Sequence, residues 1–220
     1  MLDEEKEAIG FYLSSHPLDT YELTIKYFID TKIENLKTII QTKKGATVHV
    51  AGIVTNATEM SSKKGNPFGK YVIEDQTGSY DFAVFGETFL KYRYFFSIGT
   101  PLMITGIVQE PYGNRDLPDD KKRPNELKIL EVGLLEEVFE KTKRKAKFVL
   151  NINKLDDKNM KEIIGIIKEN KGKQPYSMLL IDKEHNLTCS LHPEKGSINA
   201  EAVFKKLNDY SDLVTYDLLK

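Results

Sequence analysis

A chain of 220 residues, 40% hydrophobic and 10% aromatic, is long enough for one large domain or two small ones and apolar enough to bury a core. Lysine and arginine number 32 against 33 aspartate and glutamate, a formal charge of -1, which excludes a global basic field and leaves any binding charge to local patches. No run approaches the roughly 18 apolar residues of a membrane helix. The start, Met1 to Glu7, is acidic where a secretory signal is basic and then apolar, and the single Cys189 forms no internal disulfide, so a reducing, cytoplasmic setting is expected.

Residues 3–28 read as two helices broken at His16-Pro17, with Ala8, Ile9, Tyr12 and Leu13 forming one apolar stripe and Asp19 capping the second helix. A short helix, Ile33 to Ile40, follows, and near Lys44 the periodicity changes from helical to alternating. Val48, Val50 and Val54 then mark a strand that Gly52 interrupts, as a bend or bulge requires. A polar hairpin, Ser61 to Lys70, leads to a strand at Tyr71 to Glu74, a turn at Asp75-Gln76-Thr77-Gly78 and a strand from Ser79 to Phe85. A helical segment, Glu87 to Phe96, precedes a fourth strand, Pro101 to Glu110. A long charged loop and a fifth strand, Glu126 to Leu135, complete the run. Five strands, a helix between the third and fourth, and long loops after the first and fourth are the layout of an OB-fold, a partly open Greek-key barrel.

From Phe148 the pattern predicts a small separate α/β unit. Phe148, Leu150 and Ile152 alternate as a strand; Asp156 caps a helix carrying Met160, Ile163, Ile164 and Ile167; Gly172 closes it. Strands at Ser177 to Asp182 and Leu187 to Leu191 follow, then a helix with Val203, Leu207, Tyr210 and Val214 on one face, giving a β-α-β-β-α order. The fold class is therefore α+β and multidomain, with a helical lead-in over 1–44, a five-stranded OB barrel over 45–140 and a C-terminal α/β domain over 145–220. Val214, Tyr216, Leu218 and Leu219 remain apolar at the chain end, which implies a docked final segment or a surface for a partner.

Catalytic chemistry finds no footing. Two-metal phosphoryl transfer needs converging carboxylates, commonly Asp-x-Asp, and the chain has none; Asp119-Asp120 and Asp156-Asp157 read as loop and cap residues. One Cys and four scattered His do not make a zinc site. Gly65 to Lys70 is one residue short of a phosphate loop and precedes a strand, and Cys189, alternating with Leu187 and Leu191, reads as a packed thiol. Neither metal nor cofactor is expected. The informative constellation is the hairpin, where Lys63, Lys64 and Lys70 flank Asn66 and Phe68, pairing charges for phosphates with a ring for base stacking. The bland reading is a solubilising hairpin whose Phe68 folds onto the barrel. Lys91, Arg93 and Tyr94, and the loop residues Tyr112, Arg115, Lys121, Lys122 and Arg123, lie in segments that can border the same groove. Lys141, Lys143, Arg144, Lys145 and Lys147 read as a charged linker between barrel and tail.

The segment Glu5 to Asp19, with Phe11-Tyr12-Leu13-Ser14-Ser15-His16-Pro17-Leu18-Asp19 at its end, resembles the stretch just before the OB domain of the bacterial DNA polymerase III alpha subunit, where a Gly usually stands at the place of Ser15. Val50 to Val54, Lys63-Lys64-Gly65-Asn66-Pro67-Phe68, Glu74-Asp75-Gln76-Thr77-Gly78 and Val84-Phe85 are similar to that family's OB-fold in the same order. The resemblance covers residues 5 to about 135 and implies a non-catalytic C-terminal piece of a much longer nucleotidyltransferase, its barrel binding single-stranded template DNA. By position, residues 145–220 fit the domain that in the family contacts the tau subunit of the clamp loader. Clamp binding is not assigned, since no Gln-led clamp peptide stands here. Two other readings remain: an anticodon-binding OB domain of an aminoacyl-tRNA synthetase, and an interaction scaffold that binds no nucleic acid.

Overall fold

The computed structural model describes residues 16–114, 117–193 and 196–219, so the expected helix over residues 3–13, the Glu5 to Ser15 part of the family-like segment and Arg115 lie outside the described residues. The chain divides into two compact units, Met1–Val138 and Phe139–Lys220.

The first unit opens at the His-Pro pair. His16 is the N-cap of a 3-10 turn, Pro17–Tyr21: its ring accepts from the Leu18 N–H, and the Asp19 carboxylate accepts from the His16 N–H. Asp19 thus closes a capping box rather than capping the next helix, because Pro17 without its own donor is suited to the first helical position. Helix α1 (Glu22–Phe28) continues from it, and α2 (Ile33–Thr42) buries Ile33, Leu36 and Ile40. Lys32 offers α2 no side-chain cap. The cap comes from the turn 42 residues away: Asp75 accepts from the Ile33 N–H at 3.0 Å and Thr77 from the Glu34 N–H at 3.1 Å. Asp75 also accepts from the Thr77 and Gly78 N–H groups, so one carboxylate shapes its own turn and holds a helix end.

Five antiparallel strands follow: β1 (Thr47–Ser61), β2 (Pro67–Asp75), β3 (Gly78–Phe85), β4 (Pro101–Gln109) and β5 (Glu126–Leu134), in the order β3-β2-β1-β4-β5. The 15-residue β1 serves two partners, β4 through Thr47 to Ile53 and β2 through Ile53 to Ser61. The bulge that turns it lies between Val54 and Asn56, while at Gly52 an added Cβ would stand 3.0 Å from the Ile73 Cβ, so the glycine admits close approach of β2. Helix α3 (Gly86–Tyr92) and the turn after it set Phe89, Tyr92 and Phe96 into the same core as Val50, Ile73, Leu102, Ile104 and Val132. In β4 every second residue is buried, as its alternation predicts. Ladder pairing reaches Ser61 opposite Pro67, so half of the polar hairpin read over 61–70 is strand and its tip is residues 62–66, closed by Gly65 at φ +80°.

After α4 (Leu135–Lys141), the second unit carries β6 (Lys145–Asn151), α5 (Asp157–Glu169), β7 (Lys171–Asp182), β8 (Leu187–Leu191), the short β9 (Ser197–Ile198), α6 (Ala200–Leu207) and β10 (Val214–Leu219). Its main sheet runs β10-β6-β7-β8, with β6 and β7 parallel. Asp156 caps α5 through the Asn159 N–H as expected.

Several details depart from the expected β-α-β-β-α order. The last helix ends at Leu207, and Val214 belongs to β10, which pairs with β6 from Val214 opposite Leu150 to Leu219 opposite Lys145. The apolar chain end is therefore a sheet strand of this unit, with Val214 and Leu218 buried. Gly172 does not close α5; it sits in β7 where an added Cβ would meet the backbone of Ile198, which is how β9 packs so close. Cys189 is exposed, correcting the packed-thiol reading, since β8 is the outer strand and exposes all five of its residues. Lys145 and Lys147 are β6 residues rather than linker. In the β7–β8 turn, Asp182 accepts from the Asn153 amide and from the ring and backbone of His185, and these hydrogen bonds pull its pKa down to about 2. Among the described residues no helix is long and apolar enough to cross a membrane.

Candidate nucleic-acid interface

Strand alternation sends every second side chain of β1, β2 and β3 to the same face, and register then decides which of them are neighbours. Met60, Phe68 and Phe85 stand opposite one another in one row; Thr58, Lys70 and Ala83 form the next; Asn56, Val72 and Asp81 the third. In the first row Phe68 is half-buried and stacks on Phe85, ring centroids 5.0 Å apart and planes 18° from parallel. Phe85 is 60% exposed and Met60 43%. Phe68 does fold onto the sheet, as the bland reading held, yet the pair it forms leaves an open aromatic face.

One residue beyond Met60 the ladder ends, and the hairpin tip begins. There Lys63 and Lys64 are exposed, and Asn66 is held by its N–H donating to the Ser62 hydroxyl at 3.1 Å. Lys70 projects from the second row into a cavity of about 440 Å3 that Asn56, Thr58 and Asp81 also line. A ring for a base, a lysine beside it and two lysines at a turn above it are the parts that hold a single strand by stacking and phosphate charge.

The sequence candidates farther along the chain are placed differently. Arg93 forms an ion pair with Glu59 at 3.0 Å and lies over the Phe89 and Tyr94 rings. Glu59 stands between Thr58 and Met60 in β1, so it belongs to the opposite face from Lys70, and Arg93 goes with it. Lys91 lies 4.7 Å from the centre of the Tyr92 ring, and hydrogen bonding to Tyr92 holds its pKa up. Tyr112 is 97% exposed, and its carbonyl accepts from the Arg123 guanidinium. The loop carrying it is fastened by buried Asn114, whose side chain donates to the Arg123 carbonyl at 2.7 Å and accepts from the Arg123 N–H at 3.1 Å. None of Lys91, Arg93 and Tyr112 lines the cavity over the three rows. Sequence reasoning missed Met60, Phe85, Asn56 and Asp81, because alternation tells which residues of one strand share a face and the register tells which residues of the next strand stand beside them.

Burial on the inner face has its own signature: it pushes the Tyr71 phenol up, and the Tyr80 phenol up to about 12. Both rings belong to the barrel core and its edge. Among the described residues no three His, Cys, Asp or Glu side chains gather as metal ligands would.

Comparison with known proteins bears on this face. Residues 48–134 match a tRNA anti-codon family model described as an OB-fold nucleic acid binding domain. The DNA polymerase III subunit alpha of Borreliella burgdorferi is 37% identical over 119 residues, 53% of this chain and 10% of that protein. That of Escherichia coli strain K12 is 27% identical over 157 residues, 71% of this chain and 13% of that protein. Among solved structures, the second OB-fold domain of replication protein A from Methanococcus maripaludis aligns at 18% identity with a TM-score of 0.28, covering 42% of this chain and 87% of that one. A putative aspartyl-tRNA synthetase from Leishmania major aligns at 14% identity with a TM-score of 0.34, covering 50% of this chain and 21% of that one. Scores that low favour neither kind of ligand. This chain spans only about a tenth of the length of the curated relatives it matches. It contains an OB-fold domain that matches the DNA polymerase III alpha subunit over about half of the present sequence.

Proposed function

We propose that the barrel holds single-stranded DNA across β1, β2 and β3, and that the chain serves a DNA polymerase III alpha subunit as a non-catalytic binding portion, residues 45–140 taking the strand. Nucleotidyl transfer belongs, on this reading, to parts of the subunit that the chain does not match. The observation that carries the proposal is the open Phe68–Phe85 pair beside Lys70 and below Lys63 and Lys64, in a domain whose sequence matches that subunit. Anisotropy titrations of the whole chain with labelled oligonucleotides test it: single strands bind more tightly than duplex, and a tRNA competes no better than a single-stranded DNA of equal length. The family model's anticodon name motivates the second reading, a tRNA-binding barrel, and preference for tRNA would establish that reading in place of the first.

For residues 145–220 the proposed partner is the tau subunit of the clamp loader, an assignment supported by position in the resembling family. The terminal apolar residues no longer argue for it, since β10 uses them within its own sheet. Co-purification with tau's C-terminal region should survive loss of the Lys63 and Lys64 charges and fail when residues 145–220 are removed; tau retained by the barrel alone refutes it.

A further inference from the structure

Lys70 and Asp81 line the same cavity from neighbouring strands, one register apart on a shared face. Diagonal neighbours on a sheet face lie within reach of a long side chain, so opposite charges so placed can pair. These two form no ion pair, and Asp81 takes no hydrogen bond from any described residue. The cavity, about 440 Å3, falls within the range of small-ligand pockets, about 300 to 1,000 Å3. A cation and an acceptor-only carboxylate left apart in one cavity suit a ligand that carries an anion at one end and N–H donors at the other. A nucleotide is such a ligand: its phosphate meets the lysine, and its base edge meets the carboxylate.

Resting on the single-strand reading of this face, we propose that Asp81 is a base-reading residue, accepting from the amino group of a base seated in the cavity and thereby disfavouring thymine. Cytosine offers its N4 amino group to a carboxylate, the pairing expected from base-edge chemistry. Thymine presents O4 in that place, acceptor against acceptor, and its one N–H lies between two carbonyls. Asn56, on the same row as Asp81, accepts from the Thr58 hydroxyl at 3.3 Å and carries amide donors for a base carbonyl. Stacking and phosphate charge alone tolerate any base, so a preference at this subsite is a departure that they do not produce.

The test is anisotropy of the full chain with labelled dC and dT oligomers of equal length at one salt concentration. The dC oligomer should bind about three- to tenfold more tightly, as one charge-assisted contact at an exposed site allows. Asp81→Asn, whose carboxamide either donates or accepts, should bring the two within about twofold, chiefly by lowering the affinity for dC toward that for dT. Equal affinities for dC and dT in the unsubstituted chain overturn the base-reading role and leave the single-strand reading standing. A dC preference that survives Asp81→Asn overturns it too, placing the discrimination elsewhere. Failure to bind either oligomer removes the single-strand reading itself.

Discussion

Reversing both charges at the hairpin tip, Lys63→Glu with Lys64→Glu, should weaken single-stranded DNA binding at least about tenfold at moderate salt and flatten its salt dependence. If about three cations neutralise phosphates, log K falls against log salt with a slope near -2, at ~0.7 per single-strand phosphate. With Lys70 left as the main contact, the slope should approach about -0.7. The fold should not suffer, because the tip lies beyond the last ladder pair, Ser61 with Pro67, and both lysines are exposed. Titration at two salt concentrations gives affinity and slope together. Unchanged affinity and slope in the double variant would move the phosphate contacts away from this hairpin.

Asp75→Ala should cost about 2 kcal/mol, roughly a thirtyfold loss in the folding equilibrium, because one truncation removes a helix cap and a turn at once. The carboxylate accepts from the Ile33 N–H, the Thr77 N–H and hydroxyl, and the Gly78 N–H. Lys32 provides α2 no substitute. Hydrogen exchange localises the effect: the amide of Ile33 should lose protection first, with those of Leu36 and Ile40 following as the helix frays. Asp75→Asn keeps a single acceptor oxygen and should recover part of the loss. A stability within about 0.5 kcal/mol of the unsubstituted chain would show that water or a neighbour caps the helix equally well.

Both predictions turn on how far local pattern reaches. Binary alternation made β4 legible residue by residue, and the change of period near Lys44 marked where helix gives way to strand. The Asp156 cap, the helix between β3 and β4 and the succession of five strands were likewise legible, because capping, amphipathicity and loop length are properties of contiguous residues. The Lys63-Lys64 tip was visible for the same reason.

What tertiary structure decided is who stands next to whom. The alternation of Phe68 said that it shares a face with Lys70, but only the register of β1, β2 and β3 joins it to Met60 and Phe85 and places Asp81 in the cavity with Lys70. Arg93, a plausible phosphate contact in the sequence, is committed to Glu59 on the other face. Asp75 reads locally as a turn residue, and its partner α2 is visible only once the chain has folded back. At the chain end, Val214 fits equally the face of a helix and the alternation of a strand. The free edge of β6 selected the strand, since pairing there satisfies backbone groups along both segments while burying Val214 and Leu218.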